Sequence, residues 1–405
     1  MKILFIVPYV PDLIRVRPYN LIRYLSQLGN EVTVMTLWTS EQEKRAATEL
    51  EKYCRKVYAF NLPKWRSYLN ALFTVPSSTP LQASYCWSPA LVDEAVRLIQ
   101  NGQGKFAFDV VHVEHLRGAR LGLALKDRLP GLPVVWDSVD SISHLFRQAM
   151  ANSKRAYDRV LTGFELGRTE RYEGRLQGQF DRTVVTSQAD KTALENLRTK
   201  APSAKAIPPV AIIQNGVDLE FFKPEFTTPR EPATLVLTGK MSYHANIAMA
   251  LHLVQEIMPK VWAVQEDVRV NIVGKDPPAV IQALANSKIN ITGTVPDLRP
   301  YLQKATLAVA PITYGAGIQN KILEAMACGT PVVTTQKAVT GLRVTPDNDI
   351  VVAQDADSFA SAILRLLNNP SLQQNIGKAG RQYVETYHHW GEVASQLTNI
   401  YREVI

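Results

Sequence analysis

The sequence predicts an α/β protein built from two doubly wound parallel sheets, and three observations carry that prediction. Short apolar runs rich in Val and Ile, each about five residues long and bounded by Gly, Pro, Asp or Asn, alternate with longer helical patterns. The runs are apolar at consecutive positions, as strands covered on both sheet faces must be. The alternation occurs in two series, separated by the Pro-rich stretch 222–232, whose three prolines keep it out of a sheet interior.

In order, the runs are Ile3–Pro8, Val32–Thr36, Val110–Val113, Val134–Trp136, Thr183–Ser187, Ala211–Gln214, Thr234–Thr238, Val268–Val273, Ile289–Thr292, Thr306–Pro311 and Pro331–Thr335. Residues 65–101 hold more aromatics and prolines than their flanks and are expected to form an insertion lining a cleft, not a further strand. The last segment is helical by pattern, with Val384, Trp390, Val393, Leu397, Ile400 and Tyr401 on its apolar stripe. The expected division is therefore 1–222, 223–385, and a terminal helix 386–405 that crosses back to the first domain.

With 405 residues, 46% hydrophobic and 20% charged, the chain has the balance of a soluble globular protein, which excludes disorder, collagen and coiled coil. Its three cysteines, Cys54, Cys86 and Cys328, form no CxxC pair, so neither a disulfide framework nor a zinc site is expected. There is no run of about 18 apolar residues, and Met1–Val7 reads as a strand, not a signal peptide, so a cytoplasmic protein is expected. The formal charge of +8 is asymmetric: residues 1–200 hold 28 basic against 20 acidic side chains, and residues 201–405 hold 17 of each. The first half is therefore expected to meet something anionic, such as a phosphorylated acceptor or an acidic membrane face. A nucleic acid is not expected, because no basic run with interleaved aromatics occurs.

The most informative segment runs from Pro311 to Thr335. A strand ends at Pro311, Gly315 and Gly317 allow backbone to approach a ligand, and a helix then opens with unsatisfied N–H groups. This loop and helix start, with Gly315, Gly317, Ile318, Gln319 and Asn320, form a phosphate-binding arrangement. Lys321 and Glu324 are three residues apart and share a helix face, so Lys321 can hold a diphosphate while Glu324 accepts from ribose hydroxyls. A second segment, Thr238–Asn246, opens another helix after a strand and carries Gly239 and Lys240.

In the first domain, Phe108–His115 ends at a loop. Alternation puts His112 and Glu114 on one strand face and leaves His115 at the carboxyl end, where open α/β sheets bind ligands. Arg15 and Arg17 lie in a loop that has no glycine and suits an anionic acceptor. Asp137 and Asp140, three apart at another strand end, are candidates for acceptor hydroxyls or for a helix N-cap. No Asp-x-Asp stands at a strand end, so no metal and no cofactor are expected.

Gly317, Lys321 and Leu323-Glu-Ala-Met-Ala327 followed by Gly329 and Pro331-Val-Val resemble the nucleotide-sugar site of family-four retaining glycosyltransferases of the GT-B fold, two Rossmann-like domains facing a crevice. Asn215-Gly-Val-Asp218, Leu237-Thr-Gly-Lys240 and Ile272-Val-Gly274 follow in the family's order. The closest subgroup is the sugar transferases of bacterial exopolysaccharide clusters. Of the family's two glutamates, which have seven residues between them, the second matches Glu324 and the first falls on Ala316.

The resemblance implies a nucleotide diphosphate sugar as donor in the second domain and a saccharide or lipid-linked acceptor in the first. It implies hexosyl transfer with retention, in polysaccharide or glycan biosynthesis; the basic first half, Arg15 and Arg17, and the aromatic insertion at 65–101 lead to the expectation of a phosphorylated lipid-linked acceptor at the inner face of the cell membrane. The resemblance also implies Lys240 and Lys321 beside the leaving diphosphate, and Gly293 and Thr294 beside the nucleobase; the residue-level alternative there is a plain strand–turn with Asp297 capping a helix. The family's active-site His matches Glu114 in direct register and His115 one residue on, so the catalytic assignment is shared between them. A nucleotide-sugar epimerase of the same fold and a non-catalytic nucleotide-sugar-binding subunit are the alternatives.

Overall fold

The structure is a computed structural model that describes all residues except 13–14, 101–104, 153–155, 199–206, 226–228 and 315–318. Its contacts divide the chain into two compact units, Met1–Gln214 with Trp390–Ile405, and Asn215–His389.

The first unit holds seven strands, β1 Lys2–Val7, β2 Glu31–Trp38, β3 Lys56–Asn61, β4 Val110–Glu114, β5 Val134–Val139, β6 Arg182–Val185 and β7 Ala211–Ile212. They pair in the order β3-β2-β1-β4-β5-β6-β7, all parallel. The second unit holds β8 Glu231–Thr238, β9 Arg269–Val273, β10 Ile289–Ile291, β11 Ala305–Ala310, β12 Val332–Thr335 and β13 Val351–Ala353, paired β10-β9-β8-β11-β12-β13 and again parallel. In each sheet the chain starts at the centre, runs outward, returns, and runs outward the other way. The order reverses between β1 and β4 and between β8 and β11, and ligands of open α/β sheets bind outside the carboxyl ends at such points.

Strand alternation sorts β1 between two cores. Leu4 and Ile6 join one cluster with Val111, Val113, Trp136 and Leu176; Ile3, Phe5 and Val7 join the other with Leu21, Leu25, Trp390, Leu397 and Tyr401. The helix Trp390–Val404 thus completes one face of the first sheet and packs on the helix Val16–Gln27. One continuous cluster fills the second unit, from Leu235 and Val270 to Phe359 and Ile363.

Two strands are additional to the sequence reading. β3 is an edge strand with no fully buried side chain, and β13 is apolar but only three residues long, so neither shows the full run of a central strand. The boundary also shifts from 222/223 to 214/215. Residues 215–222 are tied to the second unit: Val217 N–H donates to the His388 carbonyl at 2.7 Å, and Arg381 reaches the carbonyls of Phe222 (2.8 Å) and Ala327 (2.7 Å). His388 Nδ1 lies 2.7 Å from the Asn215 carbonyl, which can only accept, so Nδ1 carries the proton. Nε2 then accepts from Tyr383 (3.1 Å), whose hydroxyl takes the Arg343 N–H at 3.0 Å.

The described residues of the 65–101 stretch, up to 100, include three helices, Lys64–Leu72, Leu81–Tyr85 and Pro89–Ile99. Leu91, Val92, Ala95 and Ile99 of the third are fully buried in the core of the first unit.

The carboxyl ends of β8 and β9 approach closely through glycine. Gly239 and Gly274 follow these strands at φ +151° and +156°, and a Cβ on Gly274 would stand 1.7 Å from the Gly239 carbonyl oxygen. Gly274→Ala is expected to lower the unfolding free energy by about 3 kcal/mol or more. A denaturant titration with an unchanged midpoint would show that the two backbones separate at no cost.

Candidate functional site

At the reversal point of the first sheet, β4 delivers Glu114 as its last residue and the N-cap of the helix His115–Arg128. Tyr9, two residues beyond β1, donates its hydroxyl to Glu114 Oε1 at 3.0 Å, while Oε2 is buried without a partner. Burial, then the Asp137 charge, pushes the Glu114 carboxyl up to about 8. His115 begins the helix at φ +64°, a left-handed conformation uncommon for a residue with a side chain. Its Nδ1 accepts the Arg117 N–H at 3.2 Å, and burial followed by the Arg117 charge keeps the imidazole neutral, well below its ordinary value.

Beneath them lies a buried charge group that redirects two of the expected acceptor contacts. Arg17 donates Nε and Nη2 to Asp137 Oδ2 at 2.9 and 2.7 Å and Nη1 to the Ile213 carbonyl at 3.0 Å. Both side chains are nearly inaccessible, at 4% and 0% exposure, so the pair is a structural strut that does not meet an acceptor. Asp137 Oδ1 also takes the Val139 N–H at 3.0 Å, holding a β-branched residue at φ +66°. Fully buried His112 stacks on Phe5 with ring centroids 4.0 Å apart and meets the Tyr401 hydroxyl through Nδ1 at 2.8 Å. Its Nε2 stands 3.9 Å from Asp137 and has no hydrogen bond, and burial lowers its pKa to about 4.

Arg15 is partly engaged as well, with Nη1 on the Val10 carbonyl (3.0 Å) and on Glu43 (3.2 Å) and its guanidinium over the Tyr9 ring. Asp140 is half-buried and accepts weakly from Thr186 at 3.4 Å; burial and then Asp190 push it up to about 7. It caps no helix: the buried Glu173 takes the Ile142 N–H at 2.7 Å. The first unit thus brings together Tyr9, Glu114, His115 and Asp137. Tyr9 is not singled out in the sequence, and His112 and Tyr401 read there only as a strand-face residue and a core residue, because an aromatic or His in an apolar stretch has the spacing of ordinary core.

At the reversal point of the second sheet, the helix Asn320–Ala327 follows β11, with Gln319 at its N-cap. Gly315, Gly317 and Ile318 lie outside the described residues. Asn320 Oδ1 accepts from Asn215 Nδ2 at 3.3 Å. Lys321 Nζ donates to Asn246 Oδ1 at 2.5 Å, and Asn246 Nδ2 donates to the Lys240 carbonyl at 2.9 Å. Asn246 therefore couples the two lysine-bearing segments, and it closes on Gly239, where a Cβ would meet its amide nitrogen at 2.8 Å. The Lys240 side chain is exposed.

Burial lowers Lys321 to about 8, opposed by Glu324, and burial raises Glu324 to about 7, opposed by Lys321. A desolvated cation and carboxylate of this kind are stabilised by a ligand that supplies the missing partners. In the same unit the His244 and Tyr314 rings stack 10° from parallel, with the Tyr314 hydroxyl 2.9 Å from His244 Nδ1. Gly293, at φ +66° beyond β10, has open space where a Cβ would stand, and Thr294 is exposed. Asp297 accepts the Arg299 N–H at 2.8 Å and pairs with its guanidinium. Among the described residues no group of three His, Cys, Asp or Glu could hold a metal ion, and no helix is long and apolar enough to cross a membrane.

Comparison with known proteins gives two family matches, "Glycosyltransferase Family 4" over residues 15–221 and "Glycosyl transferases group 1" over 232–369. The MMP alpha-(1->4)-mannosyltransferase of Mycolicibacterium hassiacum is 23% identical over 95% of this chain and 93% of its own length. The D-inositol 3-phosphate glycosyltransferase of Saccharomonospora viridis is 22% identical over 74% of this chain and 70% of its own. Among solved structures, Anabaena HepE in complex with UDP and glucose superposes with a TM-score of 0.70 over the whole of both chains at 13% identity. Sucrose-phosphate synthase of Thermosynechococcus elongatus gives 0.68 at 19% identity, over 99% of this chain and 98% of its own. The two parallel-sheet units are thus those of the GT-B glycosyltransferases.

Two outcomes follow from the first unit. Arg17→Met is expected to cost about 3–5 kcal/mol by stranding a buried carboxylate, and Arg17→Met with Asp137→Leu should recover most of that loss. A double variant as unstable as the single one would remove the ion pair as the cause. The Glu114 carboxyl titrates at about 8 in the folded chain against an ordinary 4.5, so the unfolded chain ionises first. Its contribution to stability is complete below about pH 4.5 and is lost as pH rises through 8. Denaturation midpoints measured across that window should fall more steeply for the wild type than for Glu114→Gln; parallel curves would place Glu114 in a solvated setting.

Proposed function

We propose that this chain, which belongs to glycosyltransferase family 4, moves a hexosyl group from a nucleoside diphosphate donor held by its second unit to a saccharide or lipid-linked acceptor. Glycosyl transfer is the activity of the family; donor, acceptor and stereochemistry are the proposal. The observation that carries it is the convergence, at the reversal point of the second sheet, of the desolvated Lys321 and Glu324 with the Gly239–Lys240 turn through Asn246.

A diphosphate at this position receives Lys321, Lys240 and the N–H groups that open the helix Asn320–Ala327. Glu324, one turn deeper, accepts from two ribose hydroxyls. As the anomeric carbon–oxygen bond to the β-phosphate breaks, negative charge grows on the departing oxygen, and preorganised cations stabilise that state more than the ground state. The acceptor oxygen bonds to the anomeric carbon and its proton passes to the departing diphosphate. HepE has been solved with UDP and glucose, and the Mycolicibacterium relative is named a mannosyltransferase, which supports a hexose donor carried on a nucleoside diphosphate. In the first unit Glu114 and His115 line the reversal point and are proposed to contact the acceptor or the transferred sugar. Retention is carried over from the resemblance.

The test combines calorimetry and turnover. UDP or GDP should bind the wild type, and Glu324→Ala should weaken that binding by about 1.5–3 kcal/mol, the scale of lost hydrogen bonds to a charged group. Glu114→Gln and His115→Ala should leave nucleotide affinity unchanged while lowering transfer of sugar to acceptor. Equal nucleotide affinity for the wild type and Glu324→Ala, or full turnover in both first-unit variants, would overturn the respective assignment.

A further inference from the structure

The helix Lys64–Leu72 and the loop after it are built inside out. Six of the fourteen exposed large hydrophobic side chains among the described residues fall within eleven positions: Trp65, Tyr68, Leu69, Leu72, Phe73 and Val75. Trp65, Tyr68 and Leu72 are 63%, 64% and 62% exposed, and Phe73 is 77%. The spacing i, i+3, i+4, i+7, i+8 from Trp65 to Phe73 puts five of the six on one helical face.

The side turned to the protein is the polar one. Ser67 is 1% exposed, Thr74 is buried, and Asn70 donates to the Trp87 carbonyl at 3.0 Å. A helix of a soluble domain ordinarily does the reverse, and an exposed apolar patch of this kind marks an interaction surface. The presentation is held rigidly, because Arg168 Nη2 lies 2.7, 2.6 and 2.6 Å from the carbonyls of Thr74, Ser77 and Thr79.

Charge identifies the partner. From Leu62 to Val92 the chain has Lys64 and Arg66, both exposed, and no Asp or Glu, within a half that carries the whole net charge of +8. Glu165, which reaches this region, is consumed by Arg168 at 3.3 Å and by the Leu81 N–H at 2.9 Å. Pairing of the face with a second copy about a two-fold axis would set Lys64 and Arg66 against their own counterparts. An anionic lipid leaflet instead takes Trp and Tyr at headgroup depth, Leu and Phe below it, and the two cations on its phosphates.

We propose that this face, from Lys64 to Val75, is the surface by which the protein docks reversibly on an anionic bilayer. The proposal goes beyond the sugar-transfer reading and does not need it, since the surface lies in the first unit and its test needs no donor.

Co-sedimentation at low salt with vesicles of phosphatidylcholine alone, or of equal parts phosphatidylcholine and phosphatidylglycerol, tests it. The wild type should partition onto the anionic vesicles and come off as salt rises. Trp65→Ser with Leu72→Ser and Phe73→Ser should lower partitioning at least roughly tenfold. Lys64→Gln with Arg66→Gln should lower it roughly thirtyfold on anionic vesicles and leave neutral ones unaffected. Because all five side chains are exposed, unchanged thermal melts should accompany both variants, and UDP calorimetry on each separates a failure of docking from a failure of the donor site. Negligible binding of the wild type to both vesicles, or wild-type binding by the serine variant, overturns the proposal. A wild-type dimer that the serine variant converts to monomer, with no lipid binding by either, assigns the face to a second copy instead.

Discussion

Parallel strands can be joined only by crossovers that cover the sheet, and a sheet that starts at its centre must reverse direction once. Everything of chemical interest in this chain depends on that reversal. Between β1 and β4, and again between β8 and β11, the connections leave in opposite directions and expose two adjacent carboxyl ends. Tyr9 and Glu114 meet at the first, although 105 residues separate them. Lys240 and Lys321 are linked through Asn246 at the second.

The two sites use buried charge differently. In the first unit, Arg17 and Asp137 pair in the interior, and burial, with the Asp137 charge adding to it, lets Glu114 keep its proton near neutral pH. A protonated carboxyl with one unpartnered oxygen is a hydrogen-bond donor awaiting an acceptor atom. The left-handed backbone of His115 and Val139 lies at the carboxyl ends of β4 and β5, and the Asp137 carboxylate holds Val139 in place. In the second unit, Lys321 and Glu324 both lose solvation without forming a close pair, so each is poised for a ligand that restores its charge.

The C-terminal helix shows how the fold recruits distant sequence to one site. Trp390, Leu397 and Tyr401 close one face of the first sheet, and the Tyr401 hydroxyl meets Nδ1 of His112, which burial keeps neutral. The chain leaves the second unit at His389, where His388 and Asn215 bond to one another, so outgoing and returning segments are fastened at the same place.

What the sequence determined by itself is what period and local spacing encode. Central strands such as Ile3–Pro8 and Thr306–Pro311 are apolar on both faces, and that alone implies parallel, doubly covered sheets. Lys321 and Glu324 share a helix face by arithmetic, and the glycines beside them are local signals. The tertiary structure decided what depends on partners far along the chain. Whether Arg17 met an acceptor or Asp137 could not be read from the sequence, because its partner lies 120 residues away. β3 lacked the apolar signature because none of its side chains is fully buried, and β13, although apolar, has only three residues. Residues 215–222 joined the second unit through Arg381 and His388, contacts with no local trace in the sequence. The outward face of Trp65, Tyr68 and Leu72 was likewise a tertiary decision, because an amphipathic pattern gives the direction of the apolar stripe relative to the helix and not relative to the protein.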